Sequence, residues 1–137
     1  RLDLAREQAV QAVCLEAIRA GVVRSAHDCA DGGLSVALAE CCMTGPREPL
    51  GAQLDVPGEL QPDALLFAES ASRIILSVRQ TDAERVERIA RERGVPCRRL
   101  GVVGGAVLAL RGKGFSISLP VGTLREAWAT GLSRLLG

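Results

Sequence analysis

Arg73-Ile-Ile-Leu-Ser-Val-Arg79 is the stretch that decides the fold. It is short, apolar and β-branched, and a charged residue bounds it on each side, which predicts a strand. Thr81-Asp-Ala-Glu84 follows at once with the spacing of a capping box. There the Thr hydroxyl caps one amide while the Glu reaches back to another. A helix is therefore expected from this point to about Arg93, with Val86, Ile89 and Ala90 as its buried stripe and Gly94 and Pro96 ending it. Its Arg- and Glu-rich remainder reads as a solvated face with pairs one turn apart.

Working downstream, Cys97–Val103 is expected to be a strand, Gly104-Gly105 a turn and Ala106–Leu110 a second strand. Arg111–Gly114 turn the chain and Phe115–Leu119 alternate as a last strand. Thr123-x-x-Glu126 has the spacing of another capping box. It is expected to open a C-terminal helix with Leu124, Trp128, Leu132 and Leu135 on one face. Upstream, residues 4–20 carry Val10, Val13, Cys14, Ala17 and Ile18 at helical spacing, with Gly21 as a stop. Residues 22–28 read as a short strand, and Asp31-Gly-Gly-Leu34 opens a helix to about Met43 with Leu34, Ala37, Leu38 and Cys41 on its apolar face. Thr44-Gly-Pro-Arg-Glu-Pro49 is a loop, and residues 51–56 alternate like a half-buried strand that Pro57-Gly58 ends. Residues 59–72 read as irregular, with one helical turn at Pro62–Leu66. The order α-β-α-β-β-α-β-β-β-α predicts an α+β fold, with helices packed on a mixed sheet in a single domain over residues 1–137. Strand–helix–strand occurs twice, too weakly in sequence to make a repeat.

Composition narrows the function classes. At 137 residues, 47% hydrophobic and 24% charged, the chain has the make-up of one globular domain. Seventeen basic residues against sixteen acidic ones create no field for nucleic acid. Phe67, Phe115 and Trp128 are too few aromatics for a base-stacking platform. No run of eighteen apolar residues suggests a membrane span, and the charged opening Arg1-Leu-Asp-Leu-Ala-Arg-Glu7 is not a signal peptide. The lack of an initiator Met suggests a piece of a longer chain. Cys14, Cys29, Cys41, Cys42 and Cys97 form no C-x-x-C, and with one His they build no zinc site. They read as reduced thiols of a cytoplasmic protein, with a redox role for adjacent Cys41-Cys42 as the lesser alternative.

Two segments can carry chemistry. In Ser25-Ala-His-Asp-Cys-Ala-Asp-Gly-Gly-Leu34 a strand ends and a helix begins within a few residues. Free amides at a glycine-rich helix start favour a phosphate or carboxylate. Asp28, at the strand end beside such an anion, is placed as a Mg2+ ligand, since Mg2+ takes one or two carboxylates plus phosphate oxygens. The structural alternative makes Asp31 an N-cap and Gly32-Gly33 a close packing point. His27, the only histidine, is a tempting base, yet strand alternation puts it on the opposite face from Asp28. It reads better as a hydrogen-bonded structural residue. The second segment, Phe67-Ala-Glu-Ser-Ala-Ser-Arg73, sets Glu69, Ser70, Ser72 and Arg73 just before the central strand. It suits a polar ligand, or it is a Ser-rich turn with Arg73 paired to Glu69. No catalytic residue is assigned.

These segments carry a family resemblance. His27-Asp-Cys-Ala-Asp-Gly-Gly-Leu34 with Ala37-Leu-Ala-Glu40 resembles the H-D-x-S-D-G-G-L…A-L-A-E pattern of the phosphoribosylformylglycinamidine synthase family, in its subunit II. Leu66-Phe-Ala-Glu-Ser-Ala-Ser-Arg73 resembles that family's L-F-x-E-S-x-S-R, and Leu124-Arg-Glu-Ala-Trp128 with Leu135-Leu136 resembles its closing L-R-E-A-W…L-L. The resemblance implies the aminoimidazole ribonucleotide (AIR) synthetase-related superfamily and the C-terminal domain of the second of two tandem units. The implied fold is a three-layer α/β/α domain, partly ferredoxin-like. It implies an enzyme that uses ATP and Mg2+ to phosphorylate the amide oxygen of formylglycinamide ribonucleotide, after which ammonia displaces the phosphate. The implied partners are N-terminal domains of the same parent chain, a glutaminase subunit and a small accessory subunit, in the cytoplasm. The implied sites are Asp28 for metal and Asp31, Gly32, Gly33, Glu69, Ser70 and Arg73 for substrate or nucleotide. Ala71 and His27 stand where the family's first unit has Gln, as in second units linked to an auxiliary nucleotide site. The family's catalytic histidine lies in domains outside this sequence, so these residues alone are expected to be inert. The rival readings are a stand-alone module that binds a small anionic metabolite, and the same domain from a relative such as selenophosphate synthetase.

Overall fold

In a computed structural model of the chain, which describes residues 3–44 and 48–136, the helices and strands alternate much as the sequence predicts. The middle of the expected loop 44–49 lies outside the described residues, as do the side chains of Leu132 and Leu136. The elements are α1 Leu4–Arg19, β1 Val23–Asp28, α2 Gly33–Met43, β2 Ala52–Asp55, α3 Pro62–Phe67 and β3 Ile74–Val78. After a 3-10 turn at Gln80–Asp82 come α4 Ala83–Glu92, β4 Gly101–Val103, β5 Val107–Gly112, β6 Phe115–Pro120 and α5 Val121–Leu136. The chain divides into two units, and the division falls inside α2 between Ala37 and Leu38.

The first unit holds α1, β1, the start of α2, β3 and α4. Asp3 caps α1, its carboxylate accepting from the Arg6 N–H at 3.1 Å. Gly21, at φ +73°, ends the helix in the left-handed region, as expected. Val13 and Ala17 of α1 meet Val86, Ile89 and Ala90 of α4 and Val22 in one apolar cluster, with Leu76 and Val78 of β3 packed against it. β1 and β3 form an antiparallel ribbon of their own, with Asp28 opposite Ile74 and His27 opposite Ile75. Two strands alone are marginal in water, so the ribbon depends on the helix pair that covers it.

The second unit holds the mixed sheet, in the order β4-β2-β5-β6. β2 and β5 are parallel, whereas β2–β4 and β5–β6 are antiparallel. Ala52 and Leu54 of β2 and Leu108 and Leu110 of β5 are buried while their neighbours Gln53 and Asp55 face out, the alternation read from the sequence. The α+β class with a mixed sheet is borne out.

Four local expectations are corrected. α4 is preceded by the 3-10 turn, so Thr81 lies inside that turn and no side-chain cap forms at Asp82. α5 begins at Val121, whose N–H donates to the Ala106 carbonyl at 2.9 Å; Thr123 is therefore already helical and cannot be the N-cap. Residues 97–99 stay outside the ladder, the Leu100 carbonyl accepts from the Asp55 N–H at 2.7 Å, and β4 itself is only Gly101–Val103. In α2 the buried residues include Cys42 and not Cys41, one position on from the expected face.

Candidate functional site

Antiparallel pairing of β1 with β3 brings the end of one strand beside the start of the other. The Cys29 N–H continues the ladder, donating to the Arg73 carbonyl at 3.2 Å. Thus the segment after β1 and the segment before β3, forty residues apart in sequence, share one end of the ribbon. Both belong to the first unit.

The two segments are joined directly. The Gly32 N–H donates to Glu69 Oε1 at 2.8 Å. Gly32 and Gly33 both have φ +74°, and a Cβ at Gly32 would stand 2.6 Å from Val36 Cγ2. The glycine is needed both for its backbone conformation and for space. The carboxylate at the α2 start therefore comes from Glu69, not from Asp31, and sits where the positive end of the helix dipole favours it. Asp28, Asp31, Glu69 and Ser70 are all exposed. His27 is half-buried, with Nδ1 2.6 Å from the Asp28 carbonyl oxygen and 4.0 Å from Asp28 Oδ1, which fits a structural role.

The loop 68–73 is closed by Arg73, whose Nη2 donates to the Ala68 carbonyl. Its expected pairing with Glu69 gives way to this contact and to the Glu69–Gly32 bond. The Arg73 Nε is buried and has no hydrogen-bond partner. Burial raises the Cys29 thiol above its ordinary range; the Arg73 guanidinium opposes that and Asp28 adds to it. A buried thiol of this kind stays protonated and unreactive at neutral pH.

The sequence reading singled out Ser72 but not its partner. Ser72 has φ +63°, the only positive φ outside glycine among the described residues. Its hydroxyl donates to Glu7 Oε2 at 2.6 Å, and Gln11 Nε2 donates to Glu7 Oε1 at 2.8 Å. Ser72 holds the Glu7 carboxyl below the usual carboxylate range, and Gln11 adds to this. Glu7 lies 65 residues before Ser72, on α1, and no short-range signal links them.

No group of three or more His, Cys, Asp or Glu side chains suited to a metal ion occurs among the described residues. Mg2+ bound with a nucleotide needs less, one or two carboxylates beside phosphate oxygens. The exposed carboxylate of Asp28 is a group of that kind, whereas the buried, cationic Arg73 Nε is not a metal ligand.

The family model described as "AIR synthase related protein, C-terminal domain" matches residues 1–112. The chain belongs to that family. The match spans the two motif segments at 27–40 and 66–73, and the closing segment from Leu124 lies beyond it. Among curated relatives, phosphoribosylformylglycinamidine synthase subunit PurL of Anaeromyxobacter sp. (strain Fw109-5) is 45% identical over 142 residues, covering 98% of this chain and 18% of the relative. The subunit PurL of Moorella thermoacetica is 49% identical over 121 residues, covering 86% of this chain and 16% of the relative. The chain thus spans about a sixth of the length of these relatives. Among solved structures, T. maritima PurL complexed with FGAR superposes with a TM-score of 0.75 at 24% identity, over 87% of this chain and 21% of that one. The PurLQS structure from Thermotoga maritima gives 0.78 at 23%, over 90% and 22%. At these identities the structures establish the shared fold. No helix among the described residues is long and apolar enough to cross a membrane.

Proposed function

We propose that residues 1–137 are the C-terminal domain of the second unit of a phosphoribosylformylglycinamidine synthase, acting in the cytoplasm in purine biosynthesis. The observation that carries the reading is the junction of the two motif segments at one ribbon end, with Glu69 on the Gly32 amide and Asp28 opposite Ile74. The curated relatives named as that synthase and the T. maritima PurL complexes with FGAR, ATP and ADP support it.

In this reading ATP with Mg2+ supplies the phosphoryl group that activates the amide oxygen of formylglycinamide ribonucleotide before ammonia takes its place. Asp28 would hold the metal. Asp31, Gly32, Gly33, Glu69, Ser70 and Arg73 would line the ligand. Glu69 already spends one oxygen on the Gly32 N–H, so its other oxygen is the one left for a ligand hydroxyl or amide. A carboxylate in that place disfavours a phosphate on the same amide, so a metal held by Asp28 would supply the charge that a phosphate needs. The contribution of such residues is orientation and charge neutralisation rather than covalent chemistry. N-terminal domains of the parent chain, a glutaminase subunit and a small accessory subunit complete the machinery, and the domain alone is inert.

The test is calorimetric titration of the full-length protein and its Asp28→Asn variant with Mg-ADP. The reading predicts metal-dependent binding that Asp28→Asn weakens about tenfold or more, the scale of losing one charged contact. Equal metal-dependent affinity removes Asp28 from the site. ATP turnover by residues 1–137 alone would contradict the inertness of the domain.

A further inference from the structure

We infer that Glu7 is a positioning residue, which sets the conformation of loop 68–73 through Ser72 and so places Glu69 on the start of α2. The inference rests on the proposed ligand site, whose wall this loop forms.

Ser72 occupies a backbone region that L-residues other than glycine avoid, because Cβ crowds the following carbonyl. Such a conformation persists where the surroundings over-determine it. Here the constraint comes from outside the loop. The Ser72 hydroxyl gives a short, charge-assisted bond to Glu7 Oε2 at 2.6 Å. Glu7 itself is held in turn. Its Oε1 accepts from Gln11 one turn along α1, and its N–H donates to the Asp3 carbonyl at 3.0 Å. α1 is anchored by Val13 and Ala17 in the apolar cluster shared with α4. A rigid helix therefore delivers a fixed acceptor to the loop.

The rest of the loop transmits the constraint. The Arg73 carbonyl is tied to Cys29 and the Arg73 side chain to the Ala68 carbonyl, so both ends are fixed. Ser72 is the turning point between them, three residues after Glu69. Loss of its hydroxyl bond frees it to return to an ordinary backbone region. That rotates the adjoining peptide planes and draws Glu69 off the Gly32 N–H.

The experiment is hydrogen–deuterium exchange of the full-length protein, followed at the segment containing the Gly32 amide, with Mg-ADP titration in parallel. Glu7→Ala and Ser72→Ala are each expected to speed exchange at Gly32 about tenfold, the scale of one charge-assisted bond. Mg-ADP affinity should fall by a similar factor, while the amides of α1 and α4 keep their protection. The double variant should be no worse than either single one, and Glu7→Gln, which keeps a neutral acceptor, should recover part of the protection. Unchanged exchange at Gly32 in Ser72→Ala, or protection lost throughout α1 and α4 in that variant, would overturn the inference. Should Glu7→Ala fail to fold, Ser72→Ala and Glu7→Gln decide the question. If Gly32 exchange responds as expected but Glu69→Gln leaves Mg-ADP affinity unchanged, the site reading fails and the positioning role stands.

Discussion

α4 and α5 begin from similar sequence signals and end in opposite environments. Each was expected to open with T-x-x-E, and each carries an apolar stripe at helical spacing. In α4 the stripe Val86, Ile89 and Ala90 is buried against α1 and the ribbon. Among the described side chains of α5 only Val121, at its first position, is buried; Leu124 is half-buried, and Trp128 and Leu135 are 65% and 85% exposed. α5 follows β6 without a loop, and its Trp128 and Leu135 lie at the surface rather than in a core. The difference teaches that spacing declares a face, whereas burial depends on a partner that spacing does not name.

The largest effect expected from this contrast is at Ile89. Ile89→Ala should cost about 2–4 kcal/mol in chemical denaturation, from lost burial and the cavity left behind. Trp128→Ala should change the same measurement by less than about 0.5 kcal/mol, as for an exposed position. A cost near that of Ile89→Ala would show that α5 is covered in the intact protein and would break the contrast. Next in size is Gly32→Ala. It forces a Cβ into the left-handed region and against Val36, and should cost at least about 1 kcal/mol, read from the same denaturation curves.

A smaller effect concerns pH. Ser72 and Gln11 lower the Glu7 carboxyl in the folded protein, so its ionised form is favoured there. Its contribution is present above the ordinary glutamate range and is lost as pH falls through the depressed folded value. Wild type should therefore lose more stability on acidification than Glu7→Gln, and equal acid profiles would contradict the assigned bond. The smallest expected effects are at Thr81→Ala and Thr123→Ala, each under about 0.5 kcal/mol, because neither residue is placed as an N-cap; a working cap would cost about 1 kcal/mol.

Much of the fold was legible because it follows local rules. Alternation gave β2, apolar spacing gave α1 and the α4 stripe, and Gly21 and Gly94 marked helix ends. What escaped was decided by competition or distance. At Thr81 the chain preferred a 3-10 turn, and at Val121 a sheet-side hydrogen bond started the helix early. The strands divide between a ribbon and a mixed sheet, a choice set by long-range pairing that residue pattern does not encode. In the candidate site the motif segments were visible in the sequence. The bonds that fix them were not, because Glu69–Gly32 and Glu7–Ser72 span 37 and 65 residues.

The central claim is that the aspartate and glutamate segments grip one ligand together. A double-variant cycle on Mg-ADP affinity in the full-length protein tests it most directly, using Asp28→Asn, Glu69→Gln and the two combined. The account predicts that each single change weakens binding and that the combined loss departs from the sum of the two by about 1 kcal/mol or more, the signature of neighbours on a shared ligand. Strictly additive losses, or no loss at either position, would contradict it.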